Sequence, residues 1–472
     1  MSVSKNMWPS ISGVYKRVVA RTSKRTRTEI IIFVCGFVIG TAYALYVLVT
    51  HGPDGFLAFS DARFFYFRSA VNLALHHAFS LAPTAPFYPN AYHTPLYPLF
   101  AAAFFYLGLP LVAVILVQNV LAGLAGVLVY RIGLKMSNSH PISLVAALIT
   151  VLEPMSLYWR NLLMSDFLFS FLIIAATYLL VERRYYWCAF FMGLATLTRP
   201  IGLYFFVIFL GMIVYHMWRE QITTRPHAQL DRHPPDSTLP YVPVKHISVV
   251  SIIIVAIFIL TVLPWYIRNT IVFNVWQFSS AGGYELYTVT LPAFAEAVPG
   301  IQIPPRPIDT ATPQYEFSRF DFAYVPFYMK SFLDAVKAHP LAYAVFHIER
   351  AAYSLVSDRY EYMADAEIFP AHSTRPAVLH VMVTIALWLA WLVWLIAYAL
   401  AFLSLADCRF RFWAVFSILL VGVNVLLSGV INPDGYSMSR YTMPFIPLVI
   451  ISAGIGVQII LKMSRFARQT RH

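Results

Sequence analysis

The stretch IIIFVCGFVIGTAYALYVLV, Ile30 to Val49, decides the fold. It holds no Asp, Glu, Lys, Arg or His, and about 20 such residues are what a helix needs to cross the hydrocarbon core of a bilayer. Ahead of it stand Lys5, Lys16, Arg17, Arg21, Lys24, Arg25 and Arg27, and a basic leader of this kind stays in the cytoplasm. Ala42-Tyr43-Ala44 resembles a signal-peptidase site. The apolar run continues past it and the leader is long, so an uncleaved anchor is expected.

The rest of the chain repeats this composition. Of 472 residues, 59% are hydrophobic and 12% charged, with a mean hydropathy of +0.66, far too apolar for a soluble globular protein. The net charge of +12 does not imply nucleic acid, because the Lys and Arg residues fall in short loops where the positive-inside rule places them. Cys35, Cys188 and Cys408 are odd in number and have no metal-ligand spacing, so neither a disulfide framework nor a zinc site is expected.

Further spans are read at Leu111–Tyr130, Pro141–Leu157, Phe167–Val181, Tyr185–Leu197, Ile201–Trp218, Ile247–Ile267, Ala377–Leu403, Phe412–Val430 and Tyr441–Leu461. The run Leu96–Leu109 is apolar but short. If it stays on the outer side, Arg131, Lys135, Arg183, Arg184, Arg409, Arg411 and the basic tail from Lys462 all fall inside, so it is read as re-entrant or interfacial. This threading divides the chain into a cytoplasmic N-terminus (1–29), a membrane core (30–270) with a first outer loop at 51–110, an extracytoplasmic subdomain (271–375), C-terminal spans (376–461) and a cytoplasmic tail (462–472). An amphipathic piece from Val325 to Val356 is suited to lying on the membrane. No internal repeat, Gly-rich phosphate loop or H-E-x-x-H pattern is present.

Chemistry-bearing residues gather at the outer ends. Ser60-Asp61 opens a helix in the first outer loop, with a serine cap, an acid in the first turn, and Phe64, Phe67, Val71 and Leu75 along one side. Asp61 either serves the helix dipole or does chemistry, whereas Asp54 in Gly52-Pro53-Asp54-Gly55 reads as a turn residue. Asp166 stands at the mouth of a span, where a charge is costly unless it faces a cavity or a partner; pairing with Arg160 as interfacial anchors is the plainer alternative. Arg160, Arg199, Arg268 and Arg440 all lie at outer span ends, the wrong side for ordinary basic anchors. Such guanidinium groups suit a lipid-linked phosphate, although any one of them alone reads as a snorkelling side chain. His76, His77 and His93 lack metal spacing and read as polar loop residues first.

The motifs, in order, are Asp61 with Tyr66 and Asn72-Leu73-Ala74; Thr94-Pro95-Leu96-Tyr97-Pro98; Glu153-Pro154 through Arg160 to Ser165-Asp166; Gly193-Leu194-Ala195 with Thr198-Arg199-Pro200; Pro264-Trp265 with Arg268-Asn269; and Arg440-Tyr441 with Pro444 and Pro447. In this order the chain resembles the GT-C superfamily of membrane glycosyltransferases, especially the polyprenyl-phosphate-sugar-dependent group related to protein O-mannosyltransferases and aminoarabinose transferases. It departs from them at Thr94, where they usually carry a proline, at Asp166, where they often carry Glu, and in the offset aromatic pair Phe65-Tyr66. The resemblance implies an all-α polytopic membrane protein of about ten transmembrane helices, roughly nine to thirteen, GT-C-like, with outer-face juxtamembrane helices and a small extracytoplasmic insertion. It further implies transfer of a sugar from a polyprenyl-phosphate-linked donor to a lipid, glycan or protein acceptor on the extracytoplasmic face. Asp61 and Asp166 would be the catalytic acids, and Arg160, Arg199, Arg268, Arg440, Tyr441, His93 and Tyr97 the substrate contacts. No cofactor is certain; some relatives use a divalent metal. The competing expectations are a transporter or flippase for a lipid-linked or polar solute and a polysaccharide polymerase or ligase. Charged groups at span ends and the lack of a repeat favour transfer at the surface.

Overall fold

The computed structural model describes residues 11–228, 244–307, 321–356, 377–431 and 441–469, and every regular element among them is a helix. The long elements are α1 (Ile11–His51), α4 (Leu111–Ser137), α9 (Gly202–Ala228), α10 (Val244–Phe273), α15 (Ala377–Leu403), α16 (Arg411–Ile431) and α17 (Ile446–Gln469). Between them come α2 (Arg68–His76), α3 (Leu96–Tyr106), α5 (His140–Leu152), α6 (Pro154–Trp159), α7 (Ser165–Val181), α8 (Tyr185–Thr198), α11 (Ala281–Glu285), α12 (Leu291–Ala297), α13 (Val325–Ala338) and α14 (Pro340–Val356).

Five stretches are long and apolar enough to cross a membrane: Arg25–His51, Leu111–Ser137, Gly202–Arg219, Ile247–Phe273 and Ile446–Phe466. Five shorter apolar ones accompany them, at Leu96–Tyr106, His140–Leu152, Ser165–Val181, Leu392–Ala406 and Arg411–Leu427. Their outward faces are apolar too: Ile31, Val38 and Leu45 of α1, and Ile252, Leu260 and Ile271 of α10, are all more than half exposed. Such a surface is stable only in lipid. The chain is a multi-pass membrane protein.

Inside the bundle, α4 packs against α1, α5 and α7, while α8 packs against α7, α9 and α10. Small residues permit the closest approach. A methyl group at Gly123 of α4 would lie 2.7 Å from the Phe33 carbonyl oxygen of α1, the close backbone contact by which membrane helices associate without a hydrophobic drive.

Two local departures from the sequence reading bear on the site. The expected span Pro141–Leu157 is two helices, α5 ending at Leu152 and α6 beginning at Pro154. Pro154 has no N–H to give and disfavours a helical conformation at the residue before it. Glu153 is accordingly extended (φ −58°, ψ 126°), and its carboxylate caps α6 by accepting from Ser156 N at 2.6 Å. The second departure is the helix that follows the first span. It begins at Ser60, as expected, but no side-chain cap forms there, and Ala62–Phe67 is π-helical before α2 continues. The wider turn directs Ala62, Tyr66, Ser69, Ala70 and Asn72 inward, and the Phe64, Phe67, Val71 and Leu75 side is the outward one.

Candidate active site

The site is assembled around the segment Asn90–Tyr97, which touches nearly every element that carries a chemistry-bearing side chain. It is held from behind. Asn72 of α2 donates to the Ser80 and Ala82 carbonyls, each at 2.9 Å, and so closes the chain reversal after α2. Thr94 Oγ1 donates to the Thr198 carbonyl at the end of α8, at 2.7 Å. Asn90 accepts the Tyr92 N–H at 2.5 Å and gives its own carbonyl to Arg268, at 2.8 Å.

On one side of this segment an aromatic wall forms. The His93 ring stacks on Phe65 at 4.9 Å and meets Tyr66 edge-on at 4.5 Å. Tyr66 is buried, and its hydroxyl shares a hydrogen bond of 2.6 Å with Ser165 Oγ, one residue before Asp166. Burial foremost, together with the negative charges of Asp166 and Asp61, raises the Tyr66 phenol well above its ordinary pKa, against the lowering effect of Arg199. One buried phenol thus lies within electrostatic reach of both proposed acids and one of the arginines. Asp61 itself is half-buried.

Asp166 occupies the first turn of α7, where the helix dipole favours an anion. It forms an ion pair with Arg199, which follows the last residue of α8. The Arg199 guanidinium lies 4.9 Å from the Tyr441 ring centroid, so residues from three distant parts of the chain meet. Arg440, beside Tyr441, lies outside the described residues.

On the other side of Asn90–Tyr97 stands Arg268, near the end of α10. Its hydrogen bonds go to the Asn90 carbonyl and the Asn269 side chain. The rings of Trp265, Phe273 and Phe79 surround it at 4.7, 5.0 and 5.5 Å. No carboxylate among the described residues pairs with it. A guanidinium set on π faces and one carbonyl keeps N–H groups available for an anion.

The segment after α10 closes over this arrangement. Asn269 and Trp265 both donate to the Phe278 carbonyl, at 3.1 and 2.8 Å. Ser279 Oγ donates to the Tyr92 carbonyl at 2.6 Å, and Ser280 N to the Ala91 carbonyl at 3.1 Å. The Tyr92 hydroxyl donates to the Glu285 carboxylate of α11. Burial, then Glu285 and Asp61, hold the Tyr92 phenol well above its ordinary pKa.

Asp61, His93, Asp166, Arg199, Tyr441 and Arg268 are therefore gathered around one loop, but two expected contacts are placed elsewhere. Arg160 is completely buried and does not pair with Asp166; it donates to the Val151 carbonyl at 2.9 Å and the Gly36 carbonyl at 3.2 Å. A side chain with no exposed surface braces helices and does not meet a lipid phosphate. Tyr97 is also fully buried, one layer behind Tyr66 at 5.1 Å, and donates to Gln118 Oε1 at 2.7 Å. Glu285, Tyr92 and Gln118 are not among the site residues expected from sequence. The signal for Gln118 was a Gln-Asn pair in the middle of an otherwise apolar span; Glu285 is one acid among many in a long loop. Among the described residues no three His, Cys, Asp or Glu side chains gather closely enough to hold a metal ion.

Residues 93–276 match the family model described as dolichyl-phosphate-mannose-protein mannosyltransferase, a GT-C family in agreement with the resemblance. The matched stretch holds His93, Tyr97, Arg160, Asp166, Arg199 and Arg268; Asp61 and Glu285 flank it. Neither a curated protein nor a solved structure gives a match.

Proposed function

We propose that this protein is a membrane glycosyltransferase that moves a sugar from a polyprenyl phosphate to an acceptor hydroxyl on the extracytoplasmic face, the acceptor being a protein, glycan or lipid. The family match supports a lipid-phosphate sugar donor. The observation that carries the reading is the pairing of roles around Asn90–Tyr97: a half-buried carboxylate, Asp61, on one side and Arg268, a guanidinium with no acid partner among the described residues, on the other.

The chemistry follows from these charges. The donor already has a good leaving group, so the enzyme has to bring up the acceptor oxygen, take its proton and stabilise the departing phosphate. As the acceptor oxygen bonds to the anomeric carbon, the bond from that carbon to the phosphate oxygen breaks. The hydroxyl proton passes to Asp61, and the electron pair leaves with the phosphate on its lipid. Arg268 receives the growing negative charge, because no carboxylate among the described residues neutralises it beforehand. Arg199 contributes less net charge, since Asp166 balances it, and acts as a fixed donor whose direction the ion pair sets. Arg440 is proposed to join them next to Tyr441. The low dielectric at the membrane boundary strengthens each of these interactions.

The test is sugar transfer from purified polyprenyl-phosphate donor by Asp61→Asn and by Asp54→Asn, with donor binding measured alongside. Asp54 is exposed and pairs only loosely with Arg63, at 3.7 Å. Asp61→Asn should bind donor and lose about 100-fold or more in transfer, the usual share of a positioned acid–base group, while Asp54→Asn stays near wild type. Near-normal turnover in Asp61→Asn would sink the role. Equal losses in both would point to folding of the loop.

A further inference from the structure

Gln118 sits two turns into α4, with no exposed surface, in a helix whose other neighbours on that stretch are apolar apart from Asn119. An amide at that depth is expensive unless every polar atom is met. Here every one is engaged. Its Oε1 accepts from the Tyr97 hydroxyl at 2.7 Å, and its Nε2 donates to the Arg160 carbonyl at 2.6 Å and the Leu162 carbonyl at 3.1 Å.

Those partners belong to the two parts of the site that must keep a fixed spacing. Tyr97 anchors the Asn90–Tyr97 segment that carries His93 and meets Arg268. The 160–162 turn leads straight into Ser165 and Asp166. A second tie runs parallel, from Tyr66 to Ser165, but it starts from the π-helical loop beside Asp61. Gln118 therefore reaches no reacting atom, yet it fixes where Asp166 holds Arg199 relative to the first outer loop.

We infer that Gln118 is a positioning residue for sugar transfer, bridging Tyr97 to the turn that carries Asp166. The inference rests on the transferase reading above. It separates the two halves of one amide: the oxygen holds the loop and the nitrogen holds the turn.

The experiment compares wild type with Gln118→Met, Gln118→Glu, Tyr97→Phe and the Gln118→Met/Tyr97→Phe double variant in the full chain. Steady-state transfer from polyprenyl-phosphate sugar is measured, together with hydrogen exchange of the 160–166 amides. Gln118→Met, which keeps the volume, should lower kcat by up to about 100-fold, the effect of misplacing groups by an ångström, while KM for the donor changes little. Tyr97→Phe should cost less, and the double variant should be no worse than Gln118→Met, because Tyr97 acts through the amide. Gln118→Glu provides the reading that a purely structural role would not move. A buried carboxyl that holds its proton up to about pH 8 can accept from Tyr97 and still donate to one carbonyl. Its kcat relative to wild type should therefore climb as the pH falls and collapse as it rises. Exchange at 160–166 should quicken in Gln118→Met.

A wild-type kcat in Gln118→Met, multiplied losses in the double variant, or a pH-independent ratio for Gln118→Glu would overturn the inference. If Gln118→Met fails to fold, Tyr97→Phe and Gln118→Glu still decide it. If the wild type transfers no sugar, the transferase reading falls by itself, and unchanged exchange at 160–166 in Gln118→Met would separately remove the bridge.

Discussion

Arg160, Arg199 and Arg268 look alike in the sequence, each an arginine at the end of an apolar stretch, and packing gives them three different lives. Arg160 is spent on backbone carbonyls, Arg199 on a carboxylate, and Arg268 on rings and one carbonyl. Nothing local to those residues distinguishes them, because each role depends on what the distant chain brings alongside. The difference is measurable. Arg268→Gln should weaken binding of the polyprenyl-phosphate donor by about 1.5 to 3 kcal/mol, the worth of one charged hydrogen-bonding group, and Arg268→Lys should be intermediate because it keeps charge without the planar fork. Unchanged donor affinity in the glutamine variant would return Arg268 to a mere membrane anchor. Asp166→Asn should behave differently. Removing one member of a largely buried ion pair costs about 3 to 5 kcal/mol, so this variant should melt earlier in detergent as well as transfer slowly, whereas Arg268→Gln should melt close to wild type.

Helix lengths and apolar runs were readable because a bilayer imposes one length on every crossing element, and α1, α4, α10 and α17 fall near the expected positions. The break at Glu153-Pro154 is written in the residues but not in their hydropathy, since an average across a window does not register a single missing N–H. The π-helical turn at Ala62–Phe67 had no local mark at all; its register is set by what Tyr66 meets in Ser165. Gly40 is a comparable case on α1. A methyl group there would collide with Asn119 Oδ1 and come within 2.9 Å of Arg160 Nη2. Gly40→Ala should therefore lower stability by about 1 to 3 kcal/mol, the range for overpacking a filled interior, while Gly422→Ala, which meets nothing within 4 Å, should be neutral or slightly stabilising. Thermal unfolding of both in the same detergent checks the contrast, and equal melting would mean that α1 and α4 can part without cost.

The orientation of the whole bundle rests on the charge bias of its loops, and the protein contains its own probe. Cys408 is exposed in the turn before α16, whereas Cys188 is buried and Cys35 lies within the first span. With the active site outside, a membrane-impermeant thiol reagent should leave Cys408 unmodified in intact cells and modify it once they are permeabilised, while a cysteine placed at exposed Thr84 should react at once. Labelling of Cys408 from outside would invert the threading and every assignment made from it. Arg160 also constrains how such a bundle can come into being. One of its two carbonyl acceptors belongs to Gly36, 124 residues earlier in the chain, so the first helix has left the ribosome long before the guanidinium it will accommodate has been synthesised. By then the face of α1 around Gly36 and Gly40 has met Asn119, Gly123 and Val151, which precede Arg160 in the chain. The turn after α6 then delivers the guanidinium between elements that are already made. The first helix is thus a mould laid down early, and the later chain is cast against it.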